Sequence, residues 1–151
     1  MKVIGGAACV AALAAVAVIA LPASGTAPPG SAFFAKLDGE HGPAPDADPD
    51  GYGTFSGGLR GTSFCYGYTV FKIGNPTAAH IHVGGPNVDG GIRVGLQIPA
   101  SGLSGSRAAC TTLTTAQANA IRTNPGGHYI NVHNGEYPAG AVRGQLGTHD
   151  H

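Results

Sequence analysis

Charge of either sign is scarce and unbiased: eight Lys+Arg stand against eight Asp+Glu in 151 residues, 11% of the chain. With no positive excess to displace counterions from phosphates, a basic nucleic-acid-binding surface is excluded. Long helices have little to grow from, because 26 glycines interrupt the chain, and a coiled coil is excluded with them. The low charged fraction equally excludes an extended, self-repelling chain. Familiar catalytic templates are missing as well. There is no G-x-S-x-G elbow, no Walker loop and no G-x-G-x-x-G between strand and helix, and the many Ser and Thr have no visible base partner. Turn-rich β structure in one domain remains.

The N-terminus reads as an address. Lys2 precedes an apolar run from Val3 to Leu21, followed by the small residues Ala23, Ser24, Gly25, Thr26 and Ala27. These are the parts of a secretory signal peptide, so 1–27 is expected to be signal and leader, cut after Ala23, Gly25 or Ala27. The alternative is an uncleaved anchor, since about 19 apolar residues just span a bilayer. Cleavage leaves a secreted or cell-surface domain over 28–148, without a membrane segment, and a flexible tail at 149–151. Its partners are then an extracellular protein or a surface. Cys9 departs with the signal, leaving Cys65 and Cys110 as a pair in an oxidising compartment. A disulfide follows, because metal-thiolate or redox chemistry would want C-x-x-C spacing.

The remaining chain alternates strands and punctuation. Strands are expected at Phe33–Leu37, Thr62–Lys72, Ala78–Val83, Ile92–Ile98, His128–His133 and Ala141–Leu146, with 38–53 a loop. In the second, Phe64, Tyr66, Tyr68 and Val70 share one face. In the fourth, Ile92, Val94, Leu96 and Ile98 alternate with wet residues. Thr114 and Gln117 form a capping box and Pro125-Gly126 closes the segment, predicting one short helix over 115–123. The pattern predicts an all-β, antiparallel sandwich or barrel rather than βαβ units.

The histidines carry the most informative pattern. In a strand, His80 and His82 project from one face while Ala79, Ile81 and Val83 take the other. Ile130 and Val132 mark the core face of the later strand, so Tyr129, Asn131 and His133 share the opposite one. If the two strands are neighbours, His80, His82 and His133 offer three neutral nitrogens to Cu or Zn from the wet surface. His128 has the wrong parity. Asp89, Glu136, His149 and His151 are candidates for a fourth ligand. Arg143 and Gln145 are expected on the wet face of the last strand, Arg143 meeting Glu136 or a loop carbonyl; with Asn131 they can support the metal ligands from behind. Solvated histidines that only hydrogen-bond are the plain alternative. A weaker candidate is Asp46, Asp48 and Asp50, which imitate the start of a calcium loop; Gly57 stands where that register needs Glu, so calcium is not expected.

Four motifs in order resemble the CHRD family, the domain named for chordin: Ala78-Ala79-His80-Ile81-His82-Val83-Gly84, Leu113-Thr114, Tyr129-Ile130-Asn131-Val132-His133, and Tyr137-Pro138-Ala139-Gly140-Ala141-Val142-Arg143-Gly144-Gln145-Leu146. The resemblance spans about 33–146, and Cys65 and Cys110 fit disulfide-bearing bacterial members. Many members carry Asn-Glu-Val-Pro-Pro after the first strand; this chain has Glu40-His41-Gly42-Pro43-Ala44-Pro45. The resemblance implies a secreted or surface β-sandwich that binds extracellular partners, and implies no reaction. The H-x-H strand is also similar to the copper strand of Cu/Zn superoxide dismutases, although the further His and the His/Asp zinc loop are missing here. Three functions are therefore expected to compete: a binding module holding Cu or Zn, a copper metalloenzyme of dismutase type, and a metal-free structural or adhesive module.

Overall fold

The computed structural model describes residues 30–40, 47–99 and 104–148. The expected signal segment, Asp46, His149 and His151 lie outside these residues. Eight strands form one curled antiparallel sheet: β1 (Ser31–Asp38), β2 (Tyr52–Arg60), β3 (Ser63–Phe71), β4 (Pro76–Val83), β5 (Ile92–Leu96), β6 (Ser104–Thr112), β7 (His128–Asn134) and β8 (Val142–Gln145). Their order across the sheet is β5-β4-β7-β8-β1-β2-β3-β6. The chain is all-β with one short helix, α1 (Thr115–Thr123), as the sequence predicts.

Period-two patterning explains the strands directly. On β3, Phe64, Tyr66, Tyr68 and Val70 are buried while Cys65 and Phe71 are exposed. Phe33, Leu37, Phe55, Leu59, Ile81, Ile130 and Val132 join them in one apolar cluster fed by strands from both halves of the sheet. A flat sheet could not bring these strands to one core, so the sheet must curl. The cap of α1 is made as the capping box requires, Gln117 N donating to Thr114 Oγ1 and Thr114 N to Gln117 Oε1. Ala118 and Ile121 are its buried residues.

Curling brings β3 and the helix α1 against the β5 end of the sheet. Gln97 N donates to Tyr66 Oη and Tyr68 Oη donates to Gln97 O, at 2.8 and 2.7 Å, while Gln117 Nε2 reaches Arg93 O. Side chains of β3 and α1 thus occupy backbone groups of β5 and of Gln97, the residue that follows it, that a sheet edge would leave unpaired.

The structure corrects three details of the sequence reading. β2 and β6 were not expected, and β2 begins inside the span read as a loop. Their sequences, YGTFSGGLR and SGSRAACTT, carry too few large apolar residues to show alternation. Strand β5 ends at Leu96, and of the four alternating apolar residues only Val94 and Leu96 are buried: Ile92 is 60% exposed and Ile98, beyond the strand, 36%. Ile92 opens an edge strand and Ile98 follows its end, where no second strand covers them.

Cys65 and Cys110 are directly opposed on β3 and β6 and form the expected disulfide. It closes a 45-residue separation, for which the chain-entropy model gives about 4 kcal/mol. Both residues lie on the exposed face, so replacement leaves no core cavity. The pair Cys65→Ser and Cys110→Ser is expected to lower unfolding free energy by about 2–4 kcal/mol in denaturant titrations, with the strand spectrum of the folded state unchanged.

Candidate metal centre

Strands β4 and β7 are hydrogen-bonded neighbours in which Ala78 faces His133, His80 faces Asn131 and His82 faces Tyr129. Side-chain alternation therefore brings His80, His82 and His133 to one face, opposite the core residues Ala79, Ile81, Ile130 and Val132. One ring nitrogen from each of the three lies within 4.8 Å of the others. Among the described residues they are the only such group of His, Cys, Asp and Glu.

This face is not wet, contrary to the sequence expectation. Every residue of β7 is buried, and His82 and His133 are only 8% and 9% exposed; His80 is half-buried. Two connections roof the face. The β4–β5 loop, residues 84–91, crosses His82, whose Nδ1 donates to Gly90 O at 2.9 Å. The β7–β8 turn, residues 135–141, crosses His133, whose Nδ1 donates to Pro138 O at 2.9 Å. Both approaches depend on glycine. A Cβ on Gly90 would stand 1.5 Å from Val83 O; one on Gly140, whose φ is +142°, would stand 2.2 Å from Asn131 Oδ1.

These bonds set the tautomers. A carbonyl only accepts, so Nδ1 carries the proton in His82 and His133, and Nε2 of each neutral ring presents a lone pair. His133 Nε2 lies 3.1 Å from His80 Nδ1 and accepts from it. His82 Nε2 is buried and has no partner. Burial holds the His80 imidazolium below its usual range, with the His133 and His82 rings adding to the effect. Burial also lowers His133, against the opposing pull of the Pro138 carbonyl. Neutral rings are the form a metal ion requires.

Arg143 and Gln145 share this face but are not solvent-exposed groups of the kind the alternation suggested. Arg143 is 2% exposed, with Nη2 donating to Gly85 O and Val88 O at 2.9 Å and Nη1 meeting Asp89 Oδ1 at 3.2 Å, not Glu136. Its guanidinium stands 3.4 Å from the centre of the Tyr129 ring. The other neighbour of that ring is His82, stacked within 11° of parallel at 5.0 Å. Gln145 Nε2 donates to Gly84 O at 2.7 Å and also contacts Gly126 O and His128 O. These residues pin the 84–91 loop above the cluster. Asn131 Nδ2 likewise holds the other roof through Ala139 O.

The remaining candidates separate from the cluster. Asp89 serves Arg143, and Glu136 lies exposed in the turn. His128 stays apart, its Nδ1 on Asn124 O. Asp48 accepts from Asp50 N, while Asp50 pairs with Lys72. Sequence reasoning missed Tyr129 as a platform and the roofing carbonyls of Gly90 and Pro138. Parity places Tyr129 on this face, whereas nothing local announces a carbonyl contributed by a loop.

The CHRD domain family model matches residues 33–146. No curated protein and no solved structure matches the chain.

Depressed folded-state values for His80 and His133 mean that the unfolded chain binds more protons below about 6.5, the ordinary histidine value. Stability from these rings is present above that pH and is lost as pH falls. In chelator-treated protein the thermal midpoint is expected to drop between pH 7 and 5, and to drop less in His80→Ala/His133→Ala protein. Arg143→Met removes the loop's main anchor; amide exchange in 84–91 is expected to quicken by at least about tenfold, while that of β3 stays constant.

Proposed function

The chain belongs to the CHRD family, and from that premise we propose that it is a secreted binding module holding one copper or zinc ion on His80, His82 and His133. The observation that carries this reading is His82 Nε2, a buried lone pair without a partner that lies beside two further ring nitrogens. Buried polar atoms are almost always satisfied, and a cation shared by the three rings supplies what the protein does not. The donor chemistry is specific. Imidazole suits copper and zinc, whereas calcium, magnesium and manganese favour oxygen ligands, and no carboxylate joins the group among the described residues. Carbonyl-anchored Nδ1–H groups hold two of the ligands in place before metal arrives, the usual support for such rings.

Export is supported by the signal-like N-terminus and by the Cys65–Cys110 disulfide, which persists in an oxidising compartment. Among the described residues no helix is long and apolar enough to cross a membrane. Binding to an extracellular protein or surface is the role that family membership supports, with the ion serving structure, storage or partner contact. A metal-free adhesive module is favoured by one observation, the His80–His133 hydrogen bond that occupies two rings without an ion.

Metal analysis after equilibration with Cu(II) or Zn(II) separates the readings. We expect about one ion per folded wild-type chain and almost none in His80→Ala/His82→Ala/His133→Ala protein. Equal, negligible metal in both would leave the metal-free module.

A further inference from the structure

Copper and zinc commonly take four ligands, and the three histidines supply three. Their surroundings are unequal. His82 and His133 lie beneath the two roofing connections, while His80 is half-buried, so solvent approaches the cluster along the His80 edge. Beside that edge stands Asn131, paired directly opposite His80 across the β4–β7 ladder. It is 3% exposed, its Nδ2 is committed to Ala139 O, and its Oδ1 has no partner. A buried carbonyl of this kind requires a donor. A metal-bound water is such a donor, since its lone pair is committed to the ion.

Resting on the metal reading above, we infer that the centre keeps one exchangeable coordination position beside His80 and Asn131. This position takes water and small monodentate anions, and Asn131 Oδ1 accepts a hydrogen bond from the water. Three protein nitrogens with water at the fourth place is the composition of a reactive metal site rather than a closed structural one. The roofs over His82 and His133 restrict entry to small ligands. Asn131 acts through the bound water and is a positioning residue.

The test uses the full chain loaded with Cu(II), with azide as the probe. Water-proton relaxation should be enhanced by the bound copper and should fall as azide saturates the site with a charge-transfer band; imidazole, which is bulkier, should not compete. Asn131→Leu removes the acceptor that bound water uses and that azide, having no proton to donate, does not, so azide affinity should rise about tenfold, the worth of one lost hydrogen bond. Asn131→Asp, of the same shape, should move azide affinity in the opposite direction, and both variants are compared only where their melting shows a folded domain. Copper bound at one per chain with neither relaxation enhancement nor azide binding would overturn the inference and leave the metal reading intact, the shell then being closed by a protein group. Unchanged azide affinity in both variants would overturn the role given to Asn131. Failure of the wild-type chain to bind copper would instead remove the underlying reading.

Discussion

Strand β7 is buried on both faces, although its sequence alternates between apolar and polar residues. Ile130 and Val132 complete the core on one side; Tyr129, Asn131 and His133 are enclosed on the other by loops rather than by a second layer of apolar side chains. A polar group removed from water must find a partner. On this face the partners are backbone carbonyls of the roofing segments: Gly90 for His82, Pro138 for His133 and Ala139 for Asn131. Enclosing the face and ordering the loops are therefore one event. The same bonds that make burial tolerable fix which nitrogen of each ring is left over.

Arg143 carries the argument from the loop back to the sheet. Its charge is nearly as inaccessible as a core side chain, yet the salt-bridge partner Asp89 is largely exposed, so the ion pair alone would compensate poorly for lost hydration. Two loop carbonyls and the Tyr129 ring supply the remainder. Stacking then passes from Arg143 through Tyr129 to His82, so the orientation of one ring of the cluster is tied to strand β8, two strands away from its own.

Much of this was legible in the sequence because strand geometry has a period of two. His80, His82 and His133 could be assigned to one face from their parity with Ile81, Ile130 and Val132, and the cap of α1 from Thr114 and Gln117. What parity cannot report is what lies above a face. Polar residues opposite a core stripe read as solvated in an isolated strand, which is why Arg143 was expected in water. The roofing segments turn at Gly84, Gly85, Gly90 and Gly140, residues whose local signal is only that the chain turns. Strands β2 and β6 escaped for a related reason: Gly, Ser and Ala give the alternation no contrast, and their pairing with β1 and β3 is decided by long-range register.

The arrangement also explains how a metal site can exist without a large energetic obstacle in its empty form. Two of the three rings satisfy one another through the His80–His133 hydrogen bond, and each roofing carbonyl keeps its own Nδ1–H whether or not an ion is present. Of the three rings, His82 is the one whose buried nitrogen, Nε2, is left without a partner. A cation entering the cluster therefore competes with one shared hydrogen and a set of neutral rings, not with a network of charges that would have to be dismantled. Desolvation, which keeps His80 and His133 deprotonated, works in the same direction by removing the proton as a rival for the lone pairs. Selectivity then rests on donor type. A hard cation would have to surrender water for nitrogen at a site with no carboxylate to offset the loss, whereas copper or zinc gains ligands it prefers.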